Sequence, residues 1–325
     1  MDIFGLPAVP FMIRWKTQWL KYCLLLLHKS GDGMNGIINV LKPPGMTSHD
    51  AVAYIRRTFG MKKVGHAGTL DPAAAGVLPV FLGSATRLIE YSTDAAKSYR
   101  VEITFGFETD TGDDTGKVTQ TGPCEIPARQ RLEEVLATFI GSITQIPPMY
   151  SAIKVDGKKM YELARAGISI EPKARQVFIH DIRILQVHQS KLLLDVDCSK
   201  GTYIRSLCQD IGRKLGCPAV MSFLIRTKVG DFTLEQAVSV EEIGQKKESV
   251  LLPMDFAVMH LPLVSLKLAE CKNLQQGKMV FYQACPSTLV RIYDPNECLI
   301  GIGQYDRTTS LLKPLKILSA YSNNL

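Results

Sequence analysis

Between Gly65 and Val80 the chain reads GHAGTLDPAAAGVLPV, a run of glycines, alanines and aliphatic residues interrupted by one carboxylate, Asp71. Glycines let a ligand approach the backbone closely, and Pro72 stiffens the chain just beyond the acid. A carboxylate in such surroundings serves as a nucleophile or as a base, and it needs a cationic partner to stay ionised when partly buried. Asp-Pro is also an ordinary turn or helix-cap dipeptide. On residue type alone both readings stand.

Other chemistries lack their residues. There is no Walker A loop, no G-x-G-x-x-G after a strand, no H-E-x-x-H and no G-x-S-x-G. The histidines, at 28, 49, 66, 180, 188 and 260, make no metal-ligand spacing with cysteines or carboxylates, so chemistry without metal or cofactor is expected. The cysteines, at 23, 124, 198, 208, 217, 271, 285 and 298, include no C-x-x-C pair and form no dense framework. They read as reduced, mostly buried thiols of an intracellular protein.

The elements that would carry Asp71 follow from periodicity. GIINVLKPPGMTS (36–48) is a short apolar strand and a Pro-Pro-Gly loop, after which Ser48 can cap a helix with Ala51, Val52, Ile55 and Phe59 on its apolar side. Val101, Ile103 and Phe105 alternate in a strand that runs into the Asp/Gly/Thr turn of ETDTGDDTG. Residues 128–141 carry a helical pattern, SAIKVDG (151–157) reads as a strand, and KKMYELARAG is a helix closed by glycine. Two strands fill 176–198. SKGTYIRSLCQDIGRKLG (199–216) opens as a loop and continues as a helix with Ile204, Leu207, Cys208, Ile211 and Leu215 on one side. A polar linker is expected near 240–250, and LVRIYDPNECLIGIGQYD has hairpin chemistry. Strands interspersed irregularly with helices give an α+β fold with a mixed sheet rather than a regular βαβ array, followed by a small β domain from about residue 258.

At 325 residues the chain can bury a substantial core in two domains. Its net charge of +7 is modest, but residues 1–100 carry 12 basic against 6 acidic side chains, and 150–230 carry 14 against 7. Folded together, these blocks would make a positive face for a polyanion; solvated surface lysines are the alternative. Residues 1–33 place basic residues before an apolar run too short to span a bilayer, and they match neither a secretory signal nor a transit peptide. They read as a dispensable extension, with catalysis expected in 34–250 and the β domain in 258–325.

The stretch around Asp71 closely resembles the catalytic-loop motif of pseudouridine synthases of the TruB type, G-H-x-G-x-L-D-P-x-A-x-G-x-L-P. KPPGMTSHD (42–50), KSYRVEITFG (97–106), IPPMYSAIKVDGKKMYELARAG (146–167) and CSKGTYIRSLCQDIG (198–212) are similar to four further motifs of that family, in its order. The resemblance implies a mainly antiparallel sheet of the pseudouridine synthase fold flanked by helices, with a short PUA-like RNA-binding domain at the end. It implies conversion of uridine to pseudouridine in the T loop of tRNA, at the position numbered 55 in tRNA, with no metal or cofactor. Asp71 would be the essential aspartate and Arg205 its partner. Tyr99 would stack under the flipped uracil with its hydroxyl placed for proton transfer, and Leu224 would line the pocket. Tyr203 falls in the same motif as Arg205. His66 would occupy space vacated in the T loop, the glycines admitting RNA backbone, while Lys42 would pack against the catalytic loop or contact a phosphate.

By the same resemblance the protein is a cytoplasmic monomer that needs tRNA, no membrane and no obligatory protein partner. Two alternatives stand beside this reading. One is the guide-RNA-dependent relative of archaea and eukaryotes, which usually has a fuller terminal domain and charged extensions. The other is a noncatalytic RNA-binding or RNA-chaperone protein, against which Asp71, Tyr99 and Arg205 are all present.

Overall fold

The computed structural model describes residues 34–318 apart from 152, 156, 169–171 and 286; the extension 1–33 lies outside the described residues. Nine strands make the central sheet: β1 (Gly36–Lys42), β2 (Val64–His66), β3 (Ala75–Leu82), β4 (Lys97–Phe105), β5 (Gly141–Gln145), β6 (Arg175–His188), β7 (Lys191–Cys198), β8 (Ala219–Val229) and β9 (Phe232–Thr233). Their order is β1-β3-β8-β4-β7-β6-β5, with β2 beside β3 and β9 beside β8. Every pairing is antiparallel except β3 with β8, which run parallel where Ala75 faces Ile225 and Gly76 faces Arg226.

Period-two alternation gives the sheet two apolar sides in its β1–β3–β8 half. Ile38, Val40, Leu78 and Val80 point to the side covered by α1 (Ser48–Phe59), α2 (Arg129–Ala137) and α3 (Ile204–Leu215), whose apolar stripes supply Val52, Ile55, Leu132, Leu136, Leu207 and Ile211. Ile37, Val77 and Phe81 point the other way, against Phe256 and Val258 of a 3₁₀ turn and Tyr293, Leu299 and Ile302 of a second sheet. That sheet is built of β10 (Leu263–Ser265), β11 (Val280–Phe281), β12 (Leu289–Tyr293), β13 (Leu299–Asp306) and β14 (Leu311–Ile317), ordered β10-β12-β13-β14-β11. Beyond this cover, β4 and β7 turn Arg100, Glu102, Lys191 and Asp195 outward in cross-strand ion pairs of 2.7 and 2.8 Å. Exposed pairs of this kind contribute at most about 1 kcal/mol each, so apolar burial rather than charge holds the layers together.

Three expectations are corrected. The cap of α1 is Thr47, whose hydroxyl accepts from the Asp50 amide while the Asp50 carboxylate accepts from the Thr47 amide, leaving Ser48 for another purpose. The polar stretch 240–250 is not a linker. Ser239 caps a helix, α4 (Val240–Lys246), which buries Ile243 completely against the main core; a 3₁₀ turn follows. SAIKVDG contributes only a two-residue strand, Lys154–Val155, paired with Lys158–Lys159.

Among the cysteines, the reduced reading fails for one pair: Cys124 and Cys217 form a disulfide with Cα atoms 5.3 Å apart. The Gly106 amide donates to the Pro218 carbonyl and the Gly122 amide to the Gly106 carbonyl, which brings the return strand of the 107–121 hairpin onto the end of α3. No spacing rule sees a contact that tertiary structure makes. Cys198, Cys208 and Cys271 are free and buried, whereas Cys298 is free and exposed. Among the described residues no helix is long and apolar enough to cross a membrane.

The cross-link joins residues separated by 93 positions, so its loss releases a long loop in the unfolded chain. Cys124→Ser is expected to lower the unfolding free energy by about 2–4 kcal/mol, read as a lower urea midpoint, and dithiothreitol should bring the parent to the same midpoint. Equal midpoints with and without reductant would show that the bond contributes nothing.

Candidate active site

Asp71 lies in the loop between β2 and β3, at the head of a turn in which its carbonyl accepts from the Ala74 amide. Pro72 sits at the second turn position, where its fixed φ is already suited. The local conformation is thus the turn that Asp-Pro suggests by itself. Its side chain does something further: Oδ2 meets Nε of Arg205 at 3.0 Å, with 37% of the Asp71 side chain exposed but only 5% of that of Arg205.

All three nitrogens of the Arg205 guanidinium are engaged. Nη1 donates to the Thr111 carbonyl and Nη2 to the Tyr150 carbonyl, both at 2.8 Å, and Nη1 stands 3.9 Å from Oδ2 of Asp113. Asp113 is itself fixed, since its Oδ1 accepts from the Thr111 and Thr115 hydroxyls at 2.8 and 2.6 Å. Burial is the largest influence on the Asp71 carboxyl and pushes it above the ordinary carboxylate range; Arg205 and Lys42 pull it down, and Asp113 adds to the rise. Arg205 therefore offsets a desolvation penalty only in part.

The loop hangs by its carbonyl groups. Lys42, fully buried at the end of β1, donates Nζ to the carbonyls of Pro43, Met46 and Pro72 at 2.9, 2.7 and 3.3 Å. Its ammonium is pushed down to about 8, mainly by burial. This geometry packs Lys42 against the loop that carries Asp71. Ser48 exchanges hydrogen bonds with the backbone of Leu70, accepting from its amide at 2.9 Å and donating to its carbonyl at 3.1 Å. Arg226, on β8 and 1% exposed, donates to the carbonyls of Val77, Gly68 and Thr69 at 2.8, 3.1 and 3.5 Å.

Gly76 has φ 110° and presses on the backbone of Arg226, where a Cβ would lie 2.7 Å from the amide nitrogen and closer still to the carbonyl oxygen. This glycine admits protein backbone, a different purpose from that implied for the loop glycines.

Tyr99 on β4 and Leu224 on β8 are nearly buried on the same side of the sheet as Leu70, Ala74 and Ile204, and Arg226 stands directly across from Tyr99. The Tyr99 phenol is pushed up, chiefly by burial. His66 ends β2 beside the loop; burial first, then the Arg226 cation, hold its imidazole below the usual histidine range, so the ring is neutral near pH 7. Tyr203, two residues before Arg205, is engaged by other groups. Its ring lies 4.3 Å under the Arg175 guanidinium, and its backbone is held by both ends of the buried Gln145 amide.

Four contributors escaped the sequence reading: Asp113, Arg226, Gln145, and Ser48 in its loop-holding role. Asp113 looked like one more turn residue in DTGDDTG. Arg226 left a signal, a guanidinium two residues past Leu224 on the buried side of its strand, where a charge has to be satisfied internally. Among the described residues no group of three or more His, Cys, Asp or Glu side chains is placed to hold a metal ion.

Two outcomes follow for variants. Gly76→Ala is expected to lose roughly 3 kcal/mol or more of stability. Gly45→Ala, at φ 84° but facing open space, should lose only about 1–2 kcal/mol. Similar urea midpoints for the two would refute the close-approach argument. For Asp71, whose folded carboxyl lies above its unfolded value, ionisation costs stability at neutral pH, and that cost vanishes as pH falls through the folded and then the unfolded value. Removing the Arg205 cation enlarges it. The stability deficit of Arg205→Met should therefore shrink between about pH 7 and about pH 4, whereas a pH-independent deficit would confine the worth of Arg205 to the carbonyls of Thr111 and Tyr150.

Comparison with known proteins bears on this arrangement. Residues 56–204 match the model described as TruB family pseudouridylate synthase (N terminal domain), residues 205–259 the tRNA pseudouridylate synthase B C-terminal domain, and residues 262–317 Pseudouridine synthase II TruB, C-terminal. The tRNA pseudouridine synthase B of Alkaliphilus oremlandii is 49% identical over 296 residues, 88% of this chain and 99% of that protein. That of Caldanaerobacter subterraneus subsp. tengcongensis is 48% identical over 273 residues, 83% of this chain and 95% of its own length. Among solved structures, a chain of a Cbf5-Nop10-Gar1 complex superposes with a TM-score of 0.69 at 28% identity, covering 87% of this chain and 85% of that one. Identity at this level along nearly the whole length, together with the shared fold, means that the chain belongs to the TruB family of pseudouridylate synthases.

Proposed function

We propose that the protein converts uridine to pseudouridine in the T loop of tRNA, at the position numbered 55 in tRNA, using Asp71 as its essential carboxylate. The observation that carries the reading is the ion pair of Asp71 with Arg205, in which a buried guanidinium steadies a carboxylate that burial alone would protonate more readily. The relatives at 49% and 48% identity, both named tRNA pseudouridine synthase B, favour tRNA as substrate. The reading assigns catalysis to residues 34–250 and an auxiliary RNA contact to 258–325.

In this reaction the bond from N1 of uracil to C1′ of the ribose breaks, the base turns, C5 bonds to C1′, C5 loses a proton and N1 gains one. The target uridine must first leave its stack. Asp71 then acts at the sugar, as nucleophile or as base, from a rigid turn that holds it in place. Tyr99 and Leu224 form the apolar floor on which the flat base rests, with the Tyr99 hydroxyl as its polar end. His66, neutral and planar, fills the space the flipped nucleotide leaves, an aromatic replacement for lost stacking. The reading invokes no metal, no cofactor and no protein partner.

The test is tritium release from unmodified tRNA labelled at C5 of its uridines, with purified protein, no metal and no guide RNA. Release by the parent and a loss of roughly 10³-fold or more in Asp71→Asn, with RNA binding retained, is the expected result. Release that requires added guide RNA would transfer the protein to the guide-dependent class, and binding without release would make it an RNA-binding protein.

A further inference from the structure

Arg226 has a property that its loop contacts do not require. It is 1% exposed, yet among the described residues no carboxylate lies within ion-pair distance of it. A buried cation without a counter-ion is expensive, and amide or hydroxyl donors could hold three carbonyls at lower cost. What the charge does reach is Tyr99, its register partner across β8 and β4, whose phenol is buried beside it.

We infer that Arg226 is a positioning residue for Tyr99: its guanidinium, locked by the carbonyls of Gly68, Thr69 and Val77, donates to the phenol oxygen and thereby aims the Tyr99 hydroxyl at the base being turned. The inference rests on the proposed reaction. A guanidinium has five N–H groups and cannot accept, so the phenol oxygen must accept from it, and the phenol proton must then point elsewhere. In the proposed reaction that direction is the base resting on Tyr99.

The cation also gives the proton transfer a resting place for charge. If the Tyr99 hydroxyl passes its proton to N1 and recovers one from C5, the count balances, and the phenolate that exists in between lies against Arg226. The titratable groups facing Tyr99 are Arg226, Cys198 and Asp71, and those facing Arg226 besides Tyr99 are Lys42, His66 and Lys97. Arg226 is the one cation among those that face the phenol. It is also anchored to the same loop as Asp71, so the two ends of the reacting nucleoside are registered to one another through it.

A double-mutant cycle tests this, using single-turnover tritium release and, separately, the Kd for tRNA. Arg226→Lys is expected to slow the chemical step at least tenfold while Kd stays within twofold and the melting temperature shows a folded protein. In a Tyr99→Phe background the same substitution should slow the step less than twofold further. An equal slowing in both backgrounds would assign Arg226 to the loop alone and overturn the inference, as would a slowing that appears only in Kd.

Should the lysine variant fail to fold, Arg226→Gln, which keeps planar amide donors, replaces it. In parent protein labelled at the tyrosine ζ-carbon, NMR reads the pair with Arg226 intact, the Tyr99 signal being the one lost in Tyr99→Phe. A Tyr99 signal that titrates at the same pH in the parent and in Arg226→Gln would overturn the pairing. Absence of tritium release by the parent would instead overturn the proposed reaction, and this role with it.

Discussion

The loop that carries Asp71 turns the carbonyls of Gly68, Thr69, Leu70 and Pro72 toward the protein, and a buried carbonyl without a donor costs about 1–3 kcal/mol. Donors arrive from three elements, the first two neighbours in sequence and the third far along the chain: Lys42 from the end of β1, Ser48 from the start of α1 and Arg226 from β8. Satisfying the backbone therefore decides where the carboxylate points. Four such carbonyls represent several kcal/mol, a sizeable part of a domain's net stability, so the loop's conformation is dictated by the fold rather than chosen by the loop.

The same donors shape the electrostatics. Lys42 and Lys97 are both pushed down to about 8 by burial, and both give their protons to backbone oxygen: Lys97 donates to the carbonyls of Thr93 and Ala95. Neither makes an ion pair with Asp71. Among the described residues the guanidinium of Arg205 alone does, and it is held at the start of α3 by carbonyls of two further segments. A cation with a fixed planar fork suits that task better than a flexible ammonium, since its position survives the exchange of one ligand for another.

How much of this the sequence revealed depended on whether a contact was local. The apolar faces of α1 and α3, the alternation in β4 and the hairpin of β12 and β13 are local patterns, and all are present. The α+β class followed from their irregular order. The pairing of Asp71 with Arg205 came only from likeness to a family, because nothing local links them. The carbonyl clamps of Lys42, Ser48 and Arg226, the disulfide, and the packing of α4 were illegible for a common reason: each is a meeting of segments whose partner is named by the fold. Ser48 is instructive, since a serine beside a helix start looks like a cap, and Thr47 one residue earlier takes that position while Ser48 reaches the loop.

The parallel contact between β3 and β8 joins the loop that carries Asp71 to a strand that is made late on the ribosome. A chain growing from its N-terminus exposes Asp71 long before Arg205 or Arg226 exists. Until that strand is made, the carbonyls of Gly68 and Thr69 lack their donor, whereas Lys42 and Ser48 are already at hand for those of Pro72 and Leu70. The loop is therefore fully held only once the eighth strand lies between the third and the fourth.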